Sequence, residues 1–217
     1  MTSRLEVDSV YLEFGDRRIL SDIYMLFEAG KITGILGRNG AGKSCLLRII
    51  FGSLKAQYSN VRYNGETLFS AYRYDDKIKY LPQFNIFPGF IKISKAISLF
   101  DSDPARLIAD FPEFEPLLNL AFGKLSYGQK RLLETYLFLK AGSAFILLDE
   151  PFSYLMPIHV EKIKEIMKEE KKNKGIIITD HLYGDLMDVA NSVYLIYDST
   201  SRKIIADSEL REYGYIK

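Results

Sequence analysis

Residues 37–44 are Gly37-Arg38-Asn39-Gly40-Ala41-Gly42-Lys43-Ser44, which fits the pattern G-x-x-x-x-G-K-S/T at every position. The stretch follows a predicted strand, Lys31–Leu36, and opens a predicted helix, Ser44–Phe51, which is the context that this motif requires. Its glycines allow backbone N–H groups to face phosphate oxygens, and the helix N-terminus favours negative charge. We therefore predict a loop that binds the phosphates of a nucleoside triphosphate.

Two polar side chains at the end of this loop have predicted tasks. Lys43 would reach the β and γ phosphates, and the Ser44 hydroxyl would coordinate Mg²⁺. The alternative is a chance glycine-rich loop, and the strand before it and the helix after it argue against that alternative. The predicted nucleotide-binding residues of this stretch are Gly37, Asn39, Gly40, Ala41, Gly42, Lys43, Ser44 and Cys45.

A second motif follows the apolar run Phe145–Leu148, which predicts a buried parallel strand. Asp149 and Glu150 come directly after it and would lie at the carboxyl edge of the sheet, where α/β folds bind ligands. Asp149 can hold Mg²⁺ through water, and Glu150 can orient or deprotonate a water that attacks the γ-phosphate. The alternative is a strand that ends in two solvated acids, and the neighbouring phosphate-binding loop argues against it.

The composition limits the kinds of protein that this chain can be. Its 217 residues include 29 Lys and Arg against 28 Asp and Glu, and this balance argues against binding nucleic acid through bulk positive charge. The single cysteine, Cys45, excludes an internal disulfide and favours a reducing compartment. No apolar run approaches the roughly 20 residues that span a bilayer, and no signal peptide is predicted.

The order of the predicted elements indicates the fold class. Strand-like segments dominate the N-terminal part, and residues 84–124 contain prolines between short helical segments. From Phe145 onward strands and helices alternate, which predicts a parallel sheet with helices packed on it. We predict one α/β domain over residues 1–217, with a parallel core sheet, an antiparallel β lobe and a small helical lobe at about 84–140. Among the predicted elements are helices over Ser126–Lys140 and Pro157–Asn173 and an edge strand over Lys203–Ala206.

Leu125-Ser126-Tyr127-Gly128-Gln129 resembles the LSGGQ signature of the ATP-binding cassette (ABC) ATPases. The resemblance covers nearly the whole chain, since six motifs occur in the order of that family. Besides the signature and residues 37–44, they are Phe14-Gly15 at the adenine-stacking position, Gln83 of the Q-loop, Asp149-Glu150-Pro151 of Walker B and His181 of the switch. The resemblance implies an ABC-type ATPase with a P-loop fold that binds ATP and Mg²⁺.

The resemblance also implies the catalytic and metal-binding residues. Glu150, His181 and Gln83 would be catalytic, with His181 sensing the γ-phosphate and Gln83 contacting the metal and the water. Ser44, Gln83 and Asp149 would hold Mg²⁺. A structural hydrogen-bonding role for His181 and a merely solvated position for Gln83 are the alternatives.

The remaining implied contacts concern adenine and a second subunit. Phe14 would stack on adenine, with Tyr11 as the rival and a core aromatic as the alternative for either ring. Ser126, Gly128 and Gln129 would bind the γ-phosphate that a second subunit holds, so a head-to-tail dimer is implied. Ser126 and Gln129 also form a capping-box pattern, which is compatible with an anion site at the helix N-terminus.

Three positions depart from the family pattern. Met156 stands where the family has an aspartate, and an apolar side chain cannot accept the cross-dimer hydrogen bonds of that aspartate. Tyr127 replaces a glycine of the signature and would be strained if it required a positive φ. Cys45 follows Ser44 where threonine is usual.

We expect ATP hydrolysis that drives a membrane transporter. The integral membrane permease would be a separate chain, and the ATPase would pair with itself or with a related ATPase subunit on the cytoplasmic face of the membrane. One alternative is a non-transport ABC ATPase that acts on ribosomes or DNA, although no nucleic-acid partner is expected here. A small-molecule P-loop kinase would lack the signature.

Four of the seven residues of Phe84–Phe90 are large and apolar, and Pro88 and Gly89 interrupt any regular period. Two alternatives follow for this segment, directly after Gln83. Its side chains fill the core under the helical lobe, or some of them line a groove in which a cytoplasmic helix of the membrane partner docks.

Overall fold

The computed structural model describes residues 2–74, 76–181 and 183–216. Within these residues the central element is a six-stranded sheet with five parallel strands and an antiparallel edge strand. In order across the sheet, the strands are Thr200–Ile204 (β10), Ser192–Tyr197 (β9), Ile32–Leu36 (β3), Gly175–Thr179 (β8), Phe145–Asp149 (β7) and Ile78–Leu81 (β6). Strands β3, β7 and β8 are buried along their whole length, which explains their apolar composition.

An antiparallel sheet is formed by strands from the N-terminal third of the chain. Its strands, in spatial order, are Arg17–Glu28 (β2), Arg4–Phe14 (β1), Tyr58–Tyr63 (β4) and Glu66–Thr67 (β5). The turn between β4 and β5 is Asn64-Gly65, with φ of 51° and 87°. Positive φ at both positions is what a two-residue hairpin turn requires, and an Asn-Gly pair supplies it.

The helices connect these strands and cover the central sheet. They are Lys43–Phe51 (α1), Ile93–Ser98 (α2), Pro104–Asp110 (α3), Tyr127–Lys140 (α4), Pro157–Glu170 (α5), Tyr183–Val189 (α6) and Asp207–Glu212 (α7). Helix α4 begins with a capping box, because Ser126 Oγ accepts from the Gln129 N–H at 3.2 Å while Gln129 Oε1 accepts from the Ser126 N–H at 2.9 Å. None of the helices in the described ranges is both long enough and apolar enough to cross a bilayer.

The core lies on both faces of the central sheet. One cluster of buried apolar residues joins the antiparallel sheet and α1 to Ile35, Leu147 and Ile177. The other cluster contains residues of the five helices from α2 through α6 together with sheet residues such as Ile146 and Ile178. Neighbouring residues of one strand, such as Ile146 and Leu147, therefore pack into different clusters, because successive side chains of a strand point to opposite faces of the sheet.

The predicted α/β fold class is confirmed. The helix at Pro157 ends at Glu170, not at Asn173, and the edge strand runs over Thr200–Ile204, not over Lys203–Ala206. The strand begins earlier because β9 and β10 are joined by a tight turn in which Asp198 and Ser199 have φ of 47° and 62°. Helix α7 was not predicted. The helical-lobe boundary at about 84–140 stays a prediction.

Candidate active site

The phosphate-binding loop depends on glycine at position 42. Gly42 has a φ of 97°, a conformation that L side chains rarely adopt. A Cβ there would also lie 2.8 Å from Leu20 Cδ2 and 2.9 Å from Ile19 Cγ2, both on β2. Helix α1 begins at the next residue, Lys43, so its free N–H groups lie at the loop. The local chain therefore forms the anion-binding end of a helix.

This loop forms one wall of a cavity of about 420 Å³. Gln83, Glu150 and His181 reach the same cavity from the carboxyl ends of β6, β7 and β8. Parallel strands bring their carboxyl ends to one edge of the sheet, so residues far apart in sequence meet there. Among the described residues, the cavity is lined by Phe14, Arg17, Ile19, residues 39–45, Gln83, Glu150 and His181.

Lys43 is a buried cation within the loop, with 7% of its surface exposed. Its Nζ donates to the Gly37 carbonyl at 2.7 Å and lies 3.4 Å from that of Arg38. Burial lowers the pKa of Lys43, and the nearby charges of Glu150 and Asp149 partly oppose the shift. These acids favour the charged amine that a phosphate contact requires.

The Glu150 carboxylate is held by three polar side chains. Its Oε1 lies 2.5 Å from His181 Nε2, and its Oε2 accepts from Gln83 Nε2 at 2.7 Å. The Ser153 hydroxyl also donates to Oε2, at 3.2 Å. The structure therefore brings together the three residues that were predicted to be catalytic, and it adds Ser153.

The backbone of Glu150 adopts a left-handed conformation, with a φ of 56°. Its N–H donates to the Thr179 carbonyl at 2.8 Å, and its carbonyl accepts from Arg131 Nε at 3.2 Å. A non-glycine residue keeps such a conformation only when its surroundings determine it, and such residues cluster at functional sites. Thr179 and Arg131 were not predicted as site residues, because neither belongs to a motif of the loop or the acid pair.

Asp149 is buried beneath the cavity and oriented from two strands. Its Oδ1 accepts from Thr179 Oγ1 at 2.6 Å, and its Oδ2 accepts from the Tyr80 hydroxyl at 3.3 Å. Burial and the Asp149 charge raise the pKa of Tyr80, so the phenol stays a hydrogen-bond donor. A buried carboxylate and the hydroxyl of Ser44 are oxygen donors, the kind that Mg²⁺ prefers.

The geometry favours Phe14 over Tyr11 for a contact with the base. Phe14 lines the cavity and is 53% exposed. The Tyr11 hydroxyl instead donates to Glu13 at 2.7 Å, and its ring packs 6.3 Å from that of Tyr58.

Cys45 lines the cavity beside the loop, and burial raises the pKa of its thiol.

The signature residues lie outside this cavity. Tyr127 is the first residue of α4, so it has no positive φ and no strain of that kind. Its ring packs 4.6 Å from that of Tyr154, which does have a positive φ of 66°. A Cβ at Gly128 would lie 2.7 Å from the Tyr154 carbonyl oxygen, so glycine is required there. Ser126, Gly128 and Gln129 are therefore not among the residues that line the cavity with the phosphate-binding loop.

Comparisons with known proteins identify relatives of this chain. A family model described as ABC transporter matches residues 20–153. The chain is 28% identical over 209 residues to the lipopolysaccharide export system ATP-binding protein LptB of Haemophilus influenzae, with 89% of this chain and 87% of that protein covered. It is 27% identical over 209 residues to the ABC transporter ATP-binding protein YtrB of Bacillus subtilis, with 92% and 70% covered.

Solved structures share the fold. An ATP-binding subunit of an ABC transporter matches with a TM-score of 0.84 at 22% identity over 97% of this chain and 93% of that chain. A bacterial Atm1-family ABC exporter with ATP bound matches with a TM-score of 0.85 at 19% identity over 99% of this chain and 41% of that one. At these identities the structures support the fold alone. Since the family model spans more than half of the chain, the protein belongs to the ABC transporter family and is an ATPase.

Proposed function

We propose that this chain hydrolyses ATP within a head-to-tail dimer to power a transporter whose permease is a separate chain. The observation that carries the hydrolytic part is the position of Glu150, held between Gln83 and His181 in the wall of the cavity. A carboxylate beside a phosphate-binding loop is placed to orient a water molecule and take its proton. The reaction is the transfer of the γ-phosphoryl group of ATP to water.

Each residue of the cavity has a part in this reaction. The loop N–H groups and the Lys43 amine would bind the phosphates and stabilise the charge that spreads over their oxygens. Glu150 would accept the proton of the attacking water. Gln83 and His181 hold the carboxylate through one oxygen each, so they fix the direction in which it faces.

Mg²⁺ would be held by Ser44 and Asp149, with the amide oxygen of Gln83 as a third ligand. The residues fit the metal, because hydroxyl and carboxylate oxygens are its preferred ligands and Asp149 is fixed by Thr179 and Tyr80. When bound, the metal neutralises negative charge on the phosphate oxygens. This chain contributes the orientation of the donors.

The dimer is supported by the separation of the signature from the cavity. Ser126, Gly128 and Gln129 lie at the N-terminus of α4, a helix of 14 residues whose dipole favours an anion. In a head-to-tail dimer this end would face the phosphates in the cavity of the other subunit. Two identical chains or two related ones would meet this requirement.

The proposed permease contact lies beside Gln83. Phe84 and Phe90 are 67% and 85% exposed, whereas Phe87 packs against Phe100 and Phe122 at ring distances of 5.9 and 5.3 Å. The core alternative therefore applies to Phe87, whereas Phe84 and Phe90 are exposed. We propose that the exposed rings bind a cytoplasmic helix of the permease, which would hold this chain at the cytoplasmic face of the membrane. LptB, a relative of this chain, is named for an export system.

Purification from membranes of the host, in detergent, tests the proposal. The tagged chain should recover an integral membrane protein, and the complex should hydrolyse ATP with Mg²⁺ present. Lys43→Ala is the control, because it should keep the membrane partner and lose hydrolysis. Recovery of ribosomal RNA or DNA in place of a membrane chain would favour the non-transport alternative and contradict this function.

A further inference from the structure

Helix α4 has two buried side chains of opposite charge, one turn apart. Arg131 is 1% exposed and Glu134 is 0% exposed. Charged side chains are almost never buried this fully unless they are paired or hydrogen-bonded. The hydrogen bonds of both residues go to backbone groups outside α4, at the ends of β6 and β7 and in the segment that follows Gln83.

Arg131 binds the backbone on the N-terminal side of Gln83. Its Nη1 donates to the Pro82 carbonyl at 2.7 Å. Its Nε donates to the Glu150 carbonyl at 3.2 Å, and its Nη2 donates to the Asp149 carbonyl. One guanidinium group therefore connects the residue before Gln83 to the acid pair at the end of β7.

Glu134 binds the backbone on the C-terminal side of Gln83. Its Oε1 accepts from the Ile86 N–H at 2.7 Å and lies 3.5 Å from the Phe87 nitrogen. Burial raises the pKa of Glu134, and the two N–H groups and the Arg131 charge oppose that shift. Its Oε2 is buried with no hydrogen-bond partner among the described residues. A carboxylate with one unpaired oxygen in a core is destabilising by itself, which indicates a role for its contact with the segment after Gln83.

We propose that Arg131 and Glu134 are positioning residues that hold residues 82–87, here named the Gln83 loop, from both sides and so set the reach of Gln83 to Glu150. The proposal rests on the proposed role of Gln83 in hydrolysis. In the described ranges, no backbone–backbone hydrogen bond holds residues 83–87. The hydrogen bonds to the backbone of this loop therefore come from side chains of α4, so a movement of α4 is expected to move Gln83 with it.

Kinetics of three variants test the proposal. Glu134→Ala removes the acceptor for the Gln83 loop and should lower kcat roughly 10–100-fold, as expected for a misplaced catalytic group, with KM for ATP within about twofold. Glu134→Gln keeps an oxygen at the Oε1 position, so kcat should stay within about threefold even if its buried amide lowers Tm. Thr135→Ala, at the next buried position of α4, is the control for packing and should keep kcat.

A fluorescence measurement reports the loop directly. The chain has no tryptophan, so Phe84→Trp places a single reporter next to Gln83. In that background Glu134→Ala should change the emission maximum of the free protein, whereas Glu134→Gln and Thr135→Ala should leave it unchanged. This measurement needs no turnover, so it separates a failure of the positioning proposal from a failure of the proposed transport function.

The proposal is overturned by either of two results. One is an unchanged emission maximum in Glu134→Ala. The other is a loss of kcat in Glu134→Gln as large as that in Glu134→Ala, because a geometric role requires only the acceptor oxygen. Arg131→Lys gives an independent check, since a single amine cannot reach the three carbonyls and kcat should fall while KM for ATP stays within about twofold.

Discussion

His181 Nε2 lies 2.5 Å from Oε1 of Glu150, and the two residues follow neighbouring parallel strands, β8 and β7. The other oxygen of the same carboxylate accepts from Gln83, which follows β6. Residues after three adjacent strands therefore meet on one carboxylate at the edge of the sheet. The direction of the candidate base is thus determined by two side chains that the family resemblance assigns to the γ-phosphate and the water.

Removing the charge of Glu150 should stop the chemical step and leave ATP binding intact. Glu150→Gln keeps the shape of the side chain but cannot accept the proton, so turnover should fall roughly 10²–10⁴-fold. Phosphate release and calorimetric ATP binding are the measurements. Glu165→Gln, with a side chain that is 70% exposed on α5, is the matched control. Near-normal turnover in Glu150→Gln would show that another group is the base.

Lys43→Ala should weaken nucleotide binding itself. Charge-assisted hydrogen bonds contribute about 1.5–3 kcal/mol, which corresponds to roughly 10–100-fold in the dissociation constant for ATP. Calorimetry or a fluorescent ATP analogue measures the change, and the exposed Lys172→Ala is the control. An unchanged dissociation constant in a folded Lys43→Ala protein would argue against a phosphate contact.

Complementation between subunits tests the composite site. Ser126→Arg should disable the signature of one chain, and Lys43→Ala should disable the cavity of the other. A mixed dimer keeps one intact site, so mixing two inactive proteins should restore part of the ATPase rate. A mixture that pairs but stays inactive would remove the support for the head-to-tail arrangement. Met156, which stands where the family has an aspartate, is exposed and apolar, so we expect weak coupling between the sites and only a partial recovery of the rate.

Two phenylalanines of the segment after Gln83 should respond differently to serine. Phe87→Ser should lower the free energy of unfolding by about 2–4 kcal/mol, because its ring is packed between Phe100 and Phe122. Phe90→Ser should change it by less than about 0.5 kcal/mol, because the ring is exposed, yet it should release the permease. Urea unfolding and co-purification are the measurements. Normal recovery of the permease with Phe90→Ser would place the contact elsewhere.

Glu170 should make stability depend on pH in the acid range. It lies 2.9 Å from Lys140 Nζ and 3.1 Å from Lys174 Nζ. Burial alone would raise the pKa of Glu170, but the two amines outweigh it, so the folded-state pKa lies below the ordinary value. A carboxyl whose pKa is lower in the folded state than in the unfolded state stabilises the protein at pH values above the unfolded-state pKa. That stabilisation is lost as the pH falls through the folded-state pKa.

The measurement for Glu170 is urea unfolding of Glu170→Gln against the unchanged protein. At pH 7 the variant should be less stable by roughly 1–3 kcal/mol, because Lys174 loses a buried partner. The difference should shrink as the pH falls below the ordinary pKa of glutamate and through the lower folded-state pKa of Glu170, where the native carboxylate also becomes protonated. Glu165→Gln again supplies the exposed control. A difference that stays constant from pH 7 to the acid range would contradict the ion-pair explanation.

Local motifs could be predicted because their geometry depends on near neighbours in the chain. The loop at 37–44, the hairpin at Asn64-Gly65 and the start of α4 after Ser126 each follow from residues a few positions apart. Tyr127 does not have a positive φ, whereas Tyr154, whose ring packs against that of Tyr127, does. That conformation depends on how the segment after β7 packs against α4, which no local pattern encodes.

The sequence by itself determined the α/β fold class, and it predicted the phosphate-binding loop and Glu150 as the candidate base, because periodicity and motif spacing follow from local backbone geometry. Only the tertiary structure decided that Gln83 and His181 hold Glu150 and that Phe87 is packed while Phe90 is exposed. It alone placed Arg131 and Glu134 on either side of the Gln83 loop. The physical reason is that these contacts join segments far apart in sequence, and their distances are set by strand order and packing rather than by the residues next to them.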